Sequence, residues 1–464
     1  MLSCFMAEKS YRTWLPDQVF LLPPSMRDWL PEGHLVYFIL DVVEGLDIGK
    51  IDKVYQDKDH RGERPWNPRM MVAVLLYGYC LGVRSSRRLE RATYEDVAFR
   101  VLTGGTHPDH SSISDFRKTH LAVLADLFLD ILRLCEKAGI VKLGRVALDG
   151  TKVKANASKH KAMSHGRMKL RDAELRAEIQ AMLAEAGVVD ASEDAIHGRD
   201  KHGDELPKEL RRRQDRLRRI EEAKAALEAE AKAAREAELA EREASKQDPP
   251  EAPPSPTLPE HQVRHDAAGE PKPEAQRNFT DPASRIMKSG KDYVQGYNAQ
   301  AVVDDEAQVI VAAAVTNQPA DAQHFPAMVA AVEVNLGGRP VQVLGDAGYY
   351  SAENIEFSEA RGIDGLLSVG REKHVLEPAS AAAPSKDSRA DMRARLHTAI
   401  GKGAYSRRKC IVEPVFGQIK DARGIRSFLL RGLDQVRGEW NLVCLTHNLL
   451  KLFRFSQRSA LAVA

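Results

Sequence analysis

The chain is poor in the features that would place it outside a reducing aqueous compartment. Its 464 residues hold five cysteines, Cys4, Cys80, Cys135, Cys410 and Cys444, far apart and with no C-x-x-C pair. That spacing argues against a disulfide framework or a zinc ribbon. No apolar run approaches the roughly 18 residues that a membrane-spanning helix needs. The N-terminal MLSCFMAEKSYR has no basic stretch followed by a long apolar run, so no secretory signal is expected. A cytoplasmic protein without a membrane partner is the expectation. Net charge is nearly absent as well, +2 formally, but the average hides an asymmetry. Residues 401–460 carry twelve Lys/Arg against four Asp/Glu, and residues 60–120 carry ten against six. Either stretch alone reads as a solvated helix face. Together they give a polyanion two positive surfaces to meet.

What is present divides into an all-helical first part and a layered second part. Over residues 1–140, Asn67-Pro68 is a capping side chain followed by a first-turn proline. Met71, Val74, Leu75 and Gly78 follow at helical spacing. A second helix is expected from Ser86 to Leu102, stopped by Gly104-Gly105. A third begins near Ser111, and a fourth carries Leu121, Leu124, Leu127, Phe128, Ile131 and Leu132 up to Gly139. Helices on short turns, with Arg87, Arg88, Arg91, Arg117 and Lys118 outward, suit a helix-turn-helix-like DNA-binding module or a helical interaction domain.

From 141 to 455 the periods alternate. RVALD (145–149), 292–303, 308–315, 341–345 and 365–369 read as strands. Helices are expected at 323–335, at 351–362 and from about 405 to 455, leaving 456–464 as a tail. That succession predicts an α/β layered domain. It is interrupted over 160–247 by two helical patterns that suggest a hairpin. The first carries Leu175, Ile179, Met182 and Leu183 and should stop at Gly187. The second begins with seven basic residues against two acidic ones between Lys208 and Arg219. Eight prolines between 248 and 273 predict a disordered or extended linker over 248–277.

Acidic residues at strand ends are the candidate chemistry. Asp149 is read as ending one strand before Gly150-Thr151, and Asp346 as ending VQVLGD. Functional groups in open α/β sheets gather where the carboxyl ends of neighbouring strands diverge. Glu413 falls on the later helix, with Lys409 four residues before it and Lys420 seven after, on one face. Arg408, five before, points away. Taken singly, each acid is more readily a turn or cap residue. His107, His110 and Asp109 read as loop and cap residues. Asp194, His197, Asp200, His202 and Asp204 read as a solvated turn, and Trp440, Leu442, Leu445, Leu449 and Leu450 as core. No compelling Ser, Tyr or Cys nucleophile appears.

Several segments resemble the transposases of bacterial insertion sequences of the DDE class. They are VALDGTKVKANAS (146–158), TDPASRIMKSGKDYVQGYNAQ (280–300), VLGDAGYYSAEN (343–354) and VEPVFGQIKDARGIRSFLLRGL (412–433). PDHSSISDFRKTH (108–120) resembles the helical domain that precedes their catalytic core. The resemblance spans most of residues 15–455 and is weakest at 246–277 and 370–400. It implies a ribonuclease-H-like core with an all-α N-terminal domain and an inserted helical hairpin. It also implies a metal-binding catalytic triad of Asp149, Asp346 and Glu413. The family signature Tyr-x2-Arg-x3-Glu-x6-Lys is matched by Glu413 and Lys420. Tyr405 and Arg408 keep their mutual spacing but stand one residue too far from Glu413, and Lys409 occupies the arginine's place.

The resemblance further implies two Mg²⁺ ions, replaceable by Mn²⁺, and double-stranded DNA as partner, both terminal inverted repeats and target. A homodimer on DNA and association with the nucleoid are expected. Lys409, Lys420, Tyr405, Arg408, Arg423, Arg426, Arg431, Arg87, Arg88, Arg117 and Lys118 are the expected DNA contacts. A DNA-binding regulator without chemistry and a nuclease without strand transfer are the competing classes.

Overall fold

A computed structural model describes residues 25–56, 64–197, 208–244, 258–370 and 388–463. Five of the ligand-like acids and histidines noted above fall at its edge. Asp200, His202 and Asp204 lie outside the described residues, and the side chains of Asp194 and His197 do too.

The N-terminal part is all helix, as its pattern requires: α1 (Leu35–Gly45), α2 (Gly49–Gln56), α3 (Pro68–Leu81), α4 (Ser86–Glu95), α5 (Val97–Leu102), α6 (His110–Thr119) and α7 (Leu121–Lys137). The side chain of Asn67 accepts the amides of Arg69 and Met70, and Pro68 fills the first turn, so α3 starts where expected. Every residue from Met71 to Cys80 is buried, which makes α3 the central helix of the layer. The expected second helix is two. Asp96 breaks it by accepting the amides of Ala98 and Phe99, capping α5 at a cost to α4.

The second part begins with β1 (Arg145–Lys154), a short β2 (Ala162–Ser164), and two long helices, α8 (His165–His197) and α9 (Lys208–Ala244). After β3 (Gln276–Asn278) come β4 (Arg285–Ser289), β5 (Asp292–Asp304), β6 (Ile310–Thr316), α10 (Phe325–Leu336), β7 (Gln342–Gly345), α11 (Ala352–Ala360) and β8 (Asp364–Leu367). The chain ends with α12 (Ser388–His397), α13 (Ala399–Gly417), a π-helical turn Gln418–Ala422, and α14 (Leu433–Val463).

The main sheet is mixed, in the order β4-β5-β1-β7-β8, with β6 also paired to β5. Strand β5 runs antiparallel to β1, whereas β7 and β8 run parallel to it. The parallel pairing of β1 with β7 covers only Arg145–Ala147 opposite Gln342–Leu344. Beyond that point the two strands part, and β1 continues alone on that edge. Its far end is bridged instead by the segment after α13, where Phe428 N donates to Lys154 O (2.8 Å) and Lys154 N to Arg426 O (3.3 Å).

One hydrophobic core joins the helical layer to the sheet domain. Helix α14 packs on α3, α7 and β6, and Trp440 in its N-terminal part donates its indole N–H to Gln300 O of β5 (3.1 Å). Gly82 seals the junction. With φ +76° it ends α3, and a Cβ there would lie 2.0 Å from Arg423 O, so only glycine fits.

The insertion departs from expectation in two places. Helix α8 runs through Gly187 to His197 instead of stopping. The proline-rich stretch is ordered from residue 258: Leu258 and Val263 are buried, His265 bridges Pro271, and β3 pairs antiparallel with β2. Its anchors are side chains at the end of β6, where Thr316 Oγ1 donates to Pro259 O (2.6 Å) and Asn317 Oδ1 accepts His261 N (2.8 Å). Proline content alone does not unfold a segment that has such partners. Residues 245–257, the rest of the expected linker, lie outside the described ones. The hairpin itself is as expected. Ion pairs Asp172–Lys224, Arg176–Glu221 and Glu178–Arg213 rise along α8 while descending along α9, which makes the two helices antiparallel.

Candidate active site

The parting of β1 and β7 sets the site. The register that faces Ala147 with Leu344 would, two residues on, put Asp149 beside Asp346. The charge of Asp346 acts on Asp149, as it does when the two carboxylates neighbour each other where the strands diverge. Asp149 does not end its strand, contrary to the sequence reading. It sits in the middle of β1, still paired with Ala301 of β5. The short apolar run RVALD marks the portion flanked on both sides, and the polar DGTKVK the portion with one free edge.

Period two divides β1 between two faces. Asp149 and Thr151 face α13 and the π-helical turn. Arg408 Nη1 lies 3.3 Å from Asp149 Oδ2, and Arg408 Nη2 lies 4.0 Å from Glu413 Oε1. Lys420 donates to Thr151 Oγ1 and to Lys152 O (3.0 Å). The π-turn, one residue wider than an α-turn, carries Lys420 in from the end of α13. Arg408 thus comes to the site after all, contrary to the reading that pointed it away. It belongs to the buried stripe of α13 with Gly401, Ala404, Ile411, Val412, Val415 and Phe416. A charged side chain within an apolar stripe needs a buried partner, and that was the overlooked sign. Lys409, preferred from the spacing, is exposed, and no ion pair joins it to Glu413 among the described residues. Pro414 lies inside α13 and does not begin it.

The other face of β1 holds a network that the sequence reading missed. Asp321, in the loop after β6, accepts Lys152 Nζ (3.3 Å), Asn298 Nδ2 (2.7 Å) and Gln300 Nε2 (3.0 Å) at one oxygen. Tyr349 donates its hydroxyl to Gln300 Oε1. Gly150 is what lets Gln300 cross, since a Cβ there would meet Gln300 Nε2 at 2.2 Å. Gly348 lies between the acids: its amide donates to Asp346 Oδ1 (2.8 Å), and a Cβ would stand 3.0 Å from that oxygen and 3.4 Å from Asp321 Oδ2. Two polar residues, Asn298 and Gln300, in the midst of an apolar strand were the available clue.

Electrostatics mark Asp149 as short of positive charge. Burial, then the neighbouring Asp346, push its carboxyl up to about 6, despite Arg408 and the Gly150 amide, which favour ionisation. Burial also holds Lys420 below the usual lysine range, and Tyr349 is driven well above the usual phenol range by burial and by Asp321, Asp149 and Asp346. A hard divalent cation suits such a set of carboxylate oxygens. Asp149 and Asp346 fit one. Glu413, with its side chain 55% exposed, does not converge with them as the chain stands, and among the described residues no group of three acidic, histidine or cysteine side chains is close enough to hold a metal ion.

The expected DNA contacts separate into two kinds. Arg87, Arg88, Lys118, Lys409, Arg426 and Arg431 are exposed, Arg426 pairing with Asp421 and Arg431 donating to Asn156 O (2.9 Å). Tyr405 is half-buried, its ring 5.9 Å from the Arg408 guanidinium. Arg117 and Arg423 are corrections, because both are buried. Arg117 donates to Arg84 O (2.7 Å), and Arg423 to Tyr79 O (2.9 Å), Val443 O (3.3 Å) and Thr446 Oγ1 (2.6 Å). They join the helical layer to the core and have no surface to offer a phosphate. His107 stacks on Tyr94 while Asp109 caps α6, in keeping with loop and cap roles. Among the described residues no helix is long and apolar enough to cross a membrane.

Comparison with known families accounts for both parts of the chain. Residues 24–119 match the family described as Transposase domain (DUF772), and residues 261–449 match the family described as Transposase DDE domain. The second match takes in Asp346, Glu413 and Lys420, with Asp149 lying before it on the far side of the inserted hairpin. No curated protein and no solved structure matches the chain.

Proposed function

The chain belongs to the insertion-sequence transposases of the DDE class, and on that premise we propose that it binds the ends of its element, cleaves them by phosphodiester hydrolysis and joins the freed 3′-hydroxyls to target DNA. The observation that carries the reading is the pair Asp149 and Asp346, neighbours where β1 and β7 part, under the helix that bears Glu413. The core supports a ribonuclease-H-like assignment. Of the six sheet strands, in chain order β1, β4, β5, β6, β7 and β8, the first bears Asp149 and the fifth precedes Asp346, and the glutamate stands on a later helix.

Asp149 and Asp346 are the residues that would hold a divalent cation, with Glu413 completing the set. Mg²⁺, or Mn²⁺ in its place, would activate the attacking water or 3′-hydroxyl and stabilise the leaving oxygen. The chain's own groups do the rest. Arg408 offsets part of the charge of Asp149, and its guanidinium lies 4.0 Å from Glu413. A phosphate entering the site would compete for that guanidinium, and Asp149 and Asp346 would then be the carboxylates available to a divalent cation. Lys420, fixed by Thr151 and the Lys152 carbonyl, presents a cation beside Asp149 for the scissile phosphate. Asp321 holds Lys152, Asn298 and Gln300 behind the strand and fixes the position of the acids. Arg87, Arg88, Lys118, Arg426 and Arg431 extend the surface along the DNA backbone, and synapsis of two ends requires a dimer.

Asp149→Ala tests the reading. It is expected to abolish divalent-cation-dependent cleavage and strand joining on labelled DNA from the element's ends while leaving DNA affinity within about threefold of wild type. Retained cleavage overturns the assignment, and cleavage without joined product in the wild-type chain reduces it to a nuclease.

A further inference from the structure

The inserted hairpin has a face that the reaction centre does not use. Between α9, the segment 160–163 and the segment 277–282 lies a cleft of about 910 Å³. Arg212, Arg216 and Arg219 line it at positions i, i+4 and i+7 of α9, one stripe of a helix. Lys161 and Arg167 face them from the other wall. Only two acidic side chains, Asp215 and Glu222, line the cleft, and both are engaged by Arg218 (3.5 and 3.3 Å).

The pairing pattern makes this more than a solvated helix face. Elsewhere on the hairpin most arginines are matched: Arg171 with Glu174 and Glu178, Arg176 with Asp172 and Glu221, Arg213 with Glu178, and Arg242 with Glu238, while Arg235 donates to Ala268 O (2.8 Å) and Arg211 is exposed. In the cleft Arg277 is matched with Glu230, but most of the other cations are not. Lys161, Arg167, Arg216 and Arg219 are exposed and have no acidic partner within 4 Å among the described residues, and Arg212 has only Glu209 at 3.9 Å. Long cations crowded in a concavity without counter-charge repel one another, and a polyanion relieves that repulsion.

The path to the reaction centre is also basic. Strand β1 runs from Asp149 to the exposed Lys154, a length of about 16 Å, or roughly five phosphates of one DNA strand. Arg431 then lies on Asn156, and the exposed Lys159 leads into the cleft wall at Lys161.

We infer that this cleft is a second DNA-binding site, which takes the phosphate backbone of the duplex beyond the cleavage point. It rests on the reading of the chain as a transposase and adds the hairpin to its DNA-binding surface. Arginines on one helical stripe suit backbone contacts that do not depend on base sequence.

The test is duplex binding by fluorescence anisotropy over a salt series, with the full chain and a labelled duplex of element-end DNA. The variant Arg167→Ala/Arg216→Ala/Arg219→Ala should bind at least tenfold more weakly near 0.15 M salt. Its slope of log affinity against log salt should be shallower by about 3, one for each phosphate that is no longer neutralised. The matched-arginine control Arg171→Ala/Arg176→Ala/Arg242→Ala should change the slope by less than 1. Thermal melts establish that both variants are folded. Wild-type affinity and slope in the cleft variant overturn the inference, as does an equal loss in the control. A cleft variant that keeps its DNA affinity but elutes as a smaller species also overturns it, since the cleft then holds protein. The two readings fail separately. If Asp149→Ala loses cleavage while the cleft variant binds normally, only this inference falls. If the wild-type chain does not cleave but the cleft variant shows the shallower slope, only the catalytic reading falls.

Discussion

Two arginine–carboxylate pairs in this molecule look alike on paper and differ in every physical respect that matters. Glu439 of α14 is fully buried and accepts from Arg84 Nη1 (2.9 Å), Leu429 N (2.9 Å) and Leu430 N (3.0 Å). Its oxygens are saturated, and the pair ties the helical layer to the segment after α13. Asp149 is 19% exposed, receives one guanidinium nitrogen and one backbone amide, and stands beside a second carboxylate. Its partner is equally incomplete, since Arg408 Nε is buried without a hydrogen-bond partner among the described residues. A saturated pair has nothing left to offer a ligand. An unsaturated one can exchange its arginine for a cation or a phosphate, and that is the property a catalytic carboxylate needs.

Breaking the saturated pair should have the largest effect. Glu439→Ala leaves Arg84 buried and uncompensated and strips two backbone amides of their acceptor. A loss of about 3–5 kcal/mol is expected, read as a lowered denaturant midpoint, and a change under 1 kcal/mol would show that water replaces the carboxylate.

Breaking the unsaturated pair should do the reverse. The Asp149 carboxyl is raised to about 6 in the folded chain, against about 3.9 when unfolded. Its ionisation therefore costs stability, a cost absent below pH 4 and complete above pH 6. Asp149→Asn in chelator-treated protein should gain on the order of 2–3 kcal/mol at pH 7.5 and nothing at pH 4. A gain independent of pH, or a loss at pH 7.5, would show that Asp149 is as well compensated as Glu439.

The same contrast explains what could be read from the chain before it was folded. Helices α3 and α7, strands β1 and β5 to β8 and the helical hairpin were legible because periodicity and caps such as Asn67-Pro68 are local properties, whereas β2, β3 and β4 were not. Asp149 and Asp346 were legible as candidates for the same reason, each following an apolar run. What was not legible depended on neighbours far away in sequence. Whether an arginine meets DNA or a carbonyl depends on what covers it. Arg423 and Arg117 carry no local mark of burial, and Arg423 is enclosed by Tyr79 and Val443, 344 and 20 residues away. The helical angle between Arg408 and Glu413 does not locate Arg408, because its partner Asp149 is on β1. Residues 258–277 took their order from side chains at the end of β6, which composition cannot report.

Cation binding by the full-length chain tests the pairing of Asp149 with Asp346 most directly. Titration with Mn²⁺, followed by the loss of its free-ion electron paramagnetic resonance signal, should show binding by the wild-type chain. Asp149→Ala and Asp346→Ala should each weaken it at least tenfold, and the double variant should lose the site, because both carboxylates serve one ion. Wild-type Mn²⁺ affinity in Asp346→Ala would contradict the pairing.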